Sequence, residues 1–147
     1  MRYRIKTHQD FDKEFKRLCK KYSSLKADLS ALGKSLSENP DQGTSLGKGV
    51  RKVRMAIVSK GKGKSHGARV ITYTEAIVCA DNEGTVILLT IYDKADRDSI
   101  SAAEIDELLR SLRWELYIMY LQPIITQYFI DNKSEIWLLF LIAHSKR

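Results

Sequence analysis

Between Ser59 and Arg69 the sequence reads SKGKGKSHGAR, four cations and three glycines in eleven positions with no acidic residue among them. Like charges repel, so such a cluster costs folding stability unless an anion neutralises it. Extending the stretch back to Lys48 brings eight basic residues together without an acid: Lys48, Arg51, Lys52, Arg54, Lys60, Lys62, Lys64 and Arg69. Phosphate is the anion such residues suit, because Arg grips two phosphate oxygens with a rigid fork and Lys adds a point charge. The bland alternative is a solvated, solubilising loop, which is what a charge run usually is.

Phosphate in RNA comes with its own nucleophile, the ribose 2′-OH. Cleaving the strand requires removal of that proton, stabilisation of the charge that builds on phosphorus, and a proton for the departing 5′ oxygen. Arg suits the second task because it never loses its charge. A lysine crowded by other cations gives up its proton more readily than an isolated one, so crowding can itself supply a base. Strand alternation puts Lys52 and Arg54 on one sheet face, about 7 Å apart. Arg69 opens the next strand near that pair, and Lys94, two residues after Tyr92, ends the third. These five are the candidate catalytic residues. Lys48, Arg51, Lys60, Lys62, Lys64 and His66 are candidate RNA contacts, with His66 also a minor candidate for shuttling a proton. His8 and His144 have no companions and carry no chemical expectation.

Positioning these groups falls to a short series of elements. RYRIKTH alternates like a strand; the following stretch is helical through Phe11, Phe15, Leu18 and Tyr22, with Asp10 or Asp12 near its start. A second helix follows through Leu25, Leu29, Leu32 and Leu36, stopped by Asn39 before Pro40 and then Gly43. The runs VRKVRMAIV, ARVITYTEAIVC and TVILLTIYDK are rich in β-branched residues and read as neighbouring antiparallel strands, the last two joined by the turn DNEG. A closing helix has Ser101 and Glu104 in the spacing of a capping box and an apolar stripe of Ile105, Leu108, Leu109 and Leu112. The expected architecture is α+β: an N-terminal helical hairpin packed on a small, mainly antiparallel sheet, with a C-terminal helix.

Charge is unevenly spread over the 147 residues, whose formal net charge is +7. Residues 1–113 hold 22 basic and 15 acidic side chains and the remainder three of each, so the whole excess lies in the body. That excess favours nucleic acid, a ribosome or an anionic membrane as partner. Cys19 and Cys79 lack a CxxC or Cys/His neighbour and are expected to be reduced core thiols. The N-terminus has no apolar run of signal-peptide length, which points to the cytoplasm. Residues 1–113 are expected to form one domain. Residues 114–147 are apolar, with seven of the 13 aromatic residues, and are expected to be an extension, not a separate domain. Gln122, Pro123 and Gln127 interrupt its first apolar run, and its second, Ile136 to Ala143, falls short of the about 20 apolar residues a bilayer span needs, so no membrane association is expected. An added helix, a homodimer contact, or translated sequence beyond an ancestral stop codon would each account for it.

The stretches FDKEFKRLCKKY, SENPDQGTSLGKGVRKVRMAI, KGKGKSHGARVITY and VILLTIYDK, in that order and spacing, resemble the RelE/ParE superfamily of bacterial toxins on its RelE side, over about residues 2 to 112. The resemblance implies the toxin of a type II toxin–antitoxin pair, a ribosome-dependent endoribonuclease that cuts mRNA in the A site without a metal or other cofactor and leaves a 2′,3′-cyclic phosphate. It also implies a small cognate antitoxin covering the basic surface. By position it makes Lys52 the base, Arg54 a phosphate-stabilising partner, Arg69 the transition-state stabiliser and Lys94 the residue assisting the leaving group. The tyrosine that RelE carries near its C-terminal helix aligns with Ile100, and Tyr92 is the candidate to replace it. Two alternatives stand beside this reading: a ParE-like protein that inhibits gyrase by binding alone, and a RelE homologue inactivated by its C-terminal extension.

Overall fold

The structure, a computed structural model, describes residues 2–75 and 84–132. Cys79, most of the expected DNEG turn, the apolar run 136–143 and His144 lie outside the described residues. Two compact units divide at Ile100 and Ser101.

In the first unit, strand β1 (Tyr3–Thr7) leads into helix α1 (Gln9–Cys19). His8, not an aspartate, caps this helix: its Nδ1 accepts from the Asp10 amide at 3.2 Å. Asp10 and Asp12 in the first turn and Lys16 and Arg17 in the last suit the helix dipole. The apolar spacing turns Phe11 and Leu18 fully inward. Helix α2 (Leu25–Glu38) buries Leu25, Leu32 and Leu36 and ends at Asn39, before Pro40.

Strands β2 (Thr44–Gly47), β3 (Val50–Met55), β4 (Ala68–Glu75) and β5 (Gly84–Asp93) follow, and the sheet order is β1-β5-β4-β3-β2. The β2–β3 turn passes through Gly47, Lys48 and Gly49, all at positive φ, so two of its three left-handed positions are taken by the residue that adopts them without strain. Neighbours β3, β4 and β5 are antiparallel, whereas β1 lies parallel to β5. One sheet face packs Val53, Met55, Ala68, Val70, Val86, Leu88 and Ile91 against the apolar sides of α1 and α2.

This architecture corrects the expected α+β fold. It is a mixed α/β arrangement in which a strand, not a helical hairpin, opens the chain. Helix α1 packs chiefly on β5, and α2 on β1 and β3, with little contact between the two helices. The longest helix lies at the C-terminal end. Parallel pairing requires a crossover of a dozen or more residues, and α1 and α2 belong to the connection that separates β1 from its partner. Alternation in RYRIKTH marks a strand but carries no information about its direction.

The second unit is helix α3 (Ala102–Asn132) as far as it is described. Ser101 and Glu104 form a reciprocal capping box, Ser101 N donating to Glu104 Oε2 at 2.9 Å and Glu104 N to Ser101 Oγ at 3.2 Å. Ile105, Leu108, Leu109 and Leu112 are buried. The helix does not stop there. It continues through Gln122 and Pro123, where the missing proline N–H leaves the Met119 carbonyl without its usual helical donor. Trp114, Tyr117, Tyr120, Ile124 and Tyr128 along this stretch are exposed. Among the described residues, no helix is long and apolar enough to cross a membrane.

Candidate nucleic-acid interface

Register decides which candidates share a face. Arg54 is paired with Arg69 across β3 and β4, and Arg69 with Tyr92 across β4 and β5, so these three form one row across the sheet. Lys52, paired with Ile71, projects to the same side one step along. This is the face opposite Val53, Met55 and Val70 and therefore opposite α1 and α2.

Two arginines facing each other are destabilising if both stay charged and unsatisfied. The conflict is relieved at Arg69, which is only 6 % exposed. Its Nη1 donates to the carbonyls of Lys64 (3.2 Å) and Ala68 (3.3 Å), and its Nη2 to Ser65 (3.0 Å). Three of its five donors are thus spent on backbone oxygens. Arg54 is exposed. Among the described residues, Lys52, Arg54, Lys62 and Lys64 have no carboxylate partner.

The glycine–lysine stretch is anchored, not loose. It contains two 3₁₀ turns, Val58–Lys60 and Lys64–His66. Asp28 on α2 accepts from the Val58 amide at 3.2 Å, and Ser24 Oγ accepts from the Ser59 amide at 2.9 Å. Lys60 reaches through to the helix-covered side of the sheet and bonds Asp93 Oδ1 at 2.6 Å. Arg69 holds the far end through the carbonyls just named. What remains exposed between these anchors is Lys62, Lys64 and His66, whose Nδ1 lies 2.9 Å from Ser65 Oγ.

Asp93 is the residue that sequence reasoning missed. Wholly buried at the end of β5, it accepts from Lys60, from the Tyr22 hydroxyl and from the Ala95 amide, while Lys21 lies 3.6 Å away. Burial alone raises its pKa, but the bonds from Lys60 and Tyr22 outweigh burial and hold it at about 2. Lys60 and Lys21 also lie over the Tyr22 ring, 5.7 and 5.1 Å from its centroid. The available signal was an acid closing an otherwise apolar strand, opposite a lysine-rich loop.

The other candidates each have a partner or a position of their own. Lys60 is in the buried ion pair. Arg51 projects to the helix side and pairs with Asp41 at 3.3 Å. Lys48 sits in the β2–β3 turn, six residues and about 20 Å of strand from Arg54. Lys94 follows β5, its amide bonded to the Gly67 carbonyl at 3.0 Å, and its ammonium pairs with Asp98, whose pKa it lowers. Tyr92 is buried, with the Arg97 guanidinium 5.0 Å from its ring centroid.

Arg54 and Lys64 both line a cleft of about 250 Å³ between α2 and the β3 end, which Ser35, Gln42, Met55 and Val58 also line. Two elements thus deliver one cation each to a single hollow. Among the described residues, no three His, Cys, Asp or Glu side chains gather as a metal site. Neither protein-family models nor curated proteins give a match to this sequence.

Proposed function

We propose that the chain is a RelE-like toxin of a type II toxin–antitoxin pair, a ribosome-dependent, metal-independent mRNA endoribonuclease acting in the cytoplasm. The observation that carries the reading is the pair Lys52 and Arg54, two cations on one sheet face without carboxylate partners among the described residues, in a protein whose charge excess is otherwise unexplained. The phosphates of an RNA strand laid across this face would meet both side chains, and the Lys52 amine is the group that takes the ribose 2′ proton.

The Lys52 amine accepts the 2′ proton, the 2′ oxygen attacks phosphorus, and the P–O5′ bond breaks to leave a 2′,3′-cyclic phosphate. Lys94, whose ammonium pairs with Asp98, donates a proton to the departing 5′ oxygen. Arg54, exposed and forked, stabilises the charge on the phosphoryl oxygens. Arg69 enters as the residue that fixes the loop carbonyls and hence the loop. The cognate antitoxin, under this reading, supplies acidic groups to the same cations.

Primer extension on mRNA held on stalled ribosomes tests the reading. The expected result is cleavage in the A-site codon, reduced about a hundredfold by Arg54→Ala with the melting temperature unchanged. Growth arrest without any mRNA cleavage, accompanied by loss of gyrase activity, would replace it with the ParE-like alternative.

A further inference from the structure

Resting on the RNA reading above, we infer that the cleft between α2 and the end of β3 is a binding site for one nucleotide of single-stranded RNA, with Gln42 on its rim reading the base. Three observations converge on it. The first is charge: Arg54 from β3 and Lys64 from the second 3₁₀ turn both line the cleft, and neither has a carboxylate partner among the described residues. Such a pair complements a phosphodiester. The one carboxylate in the lining, Asp28, is already occupied, accepting from Ser24 Oγ at 2.6 Å and from the Val58 amide.

The second is the apolar wall. Leu32, Met55 and Val58 line the same hollow, and Val58 is 71 % exposed despite its size. An inorganic anion gains nothing from such a wall, whereas a base or ribose buries apolar surface against it. The third is the polar rim. Gln42 Nε2 donates to Ser35 Oγ at 3.0 Å and to the Asn39 carbonyl at 3.1 Å, and the Ser35 hydroxyl lies 3.3 Å from Oε1, which fixes the orientation of the amide. With both Nε2 protons taken, Oε1 keeps a lone pair that can accept from an amino group on a base edge. Rigidity completes the site: the Lys64 carbonyl is held by Arg69, so the base of the Lys64 side chain is fixed.

Titrating the full-length protein with the four nucleoside 3′-monophosphates and with inorganic phosphate, followed by NMR chemical shifts, tests this without a ribosome. Nucleotides are expected to bind more tightly than inorganic phosphate, and R54Q with K64Q to weaken both. Gln42→Ala is expected to narrow the affinity differences among the four bases about fivefold while leaving inorganic phosphate unchanged. Equal binding of nucleotides and phosphate, no saturation by any nucleotide, or base preferences untouched by Gln42→Ala each overturn the inference. Nucleotide binding with mRNA left intact on ribosomes would sink the endoribonuclease reading and leave the cleft assignment standing. Cleavage with base preference indifferent to Gln42→Ala would do the reverse.

Discussion

Arg54 and Arg69 face each other across two strands yet use their charge differently. Arg69 spends its fork on three carbonyl oxygens of the loop, while Arg54 faces solvent. Lysine cannot reproduce a planar fork. Arg69→Lys is therefore expected to lower the unfolding free energy by about 2 kcal/mol, and Arg54→Gln to change it by less than about 0.5 kcal/mol, measured by urea denaturation. Asp93 gives a sharper test because its sign is fixed. Its pKa is depressed in the folded protein from 3.8 to about 2, so its contribution to stability is complete above pH about 4 and is lost as pH falls towards 2. Asp93→Asn is expected to cost about 3 kcal/mol at neutral pH by stranding Lys60, and to remove that acid-limb loss from a series of melts between pH 5 and 2.

Among the elements, the segment from Val58 to Gly67 depends most on its anchors. Gly67 lies where β4 begins, and a Cβ there would stand 2.1 Å from the Met55 carbonyl oxygen. Gly67→Ala is expected to destabilise the fold by about 2 kcal/mol and to raise hydrogen exchange in the Lys62–His66 amides, readable by NMR. Much at this scale was legible in the sequence. The β-branched runs marked β3, β4 and β5, the leucine spacing marked α2, and Ser101 with Glu104 marked the start of α3. Strand β2 was not, because Thr44–Gly47 is too short for alternation to show and contains a serine and a glycine; it is defined by its pairing with β3. Lys52 and Arg54 could be assigned to one face from alternation; that Arg69 and Tyr92 share it follows from the register between strands. The burial of Arg69 could not, since its acceptors are backbone carbonyls, which every sequence supplies. Nor could the Lys60–Asp93–Tyr22 cluster, whose members come from three distant stretches of chain.

Over the whole molecule, the net charge of +7 is less informative than where it is left unanswered. Lys52, Arg54, Lys62 and Lys64 are the four cations of the basic stretch that remain available to phosphate. If each neutralises one phosphate, binding to single-stranded RNA should weaken with salt at a logarithmic slope of about −3. Replacing Lys62 and Lys64 with alanine should bring it to about −1.4, measured by fluorescence anisotropy over a salt series. A steep slope that survives the replacement would relocate the interface. The sheet that displays these residues also has an unusual seam: among the described residues, β1 has β5, the last strand in chain order, as its one strand neighbour. Zipping the beginning of a polypeptide to a segment translated so much later demands closure of a very long loop, a slow event. A nascent chain therefore holds β1 without this strand partner until translation has passed β5.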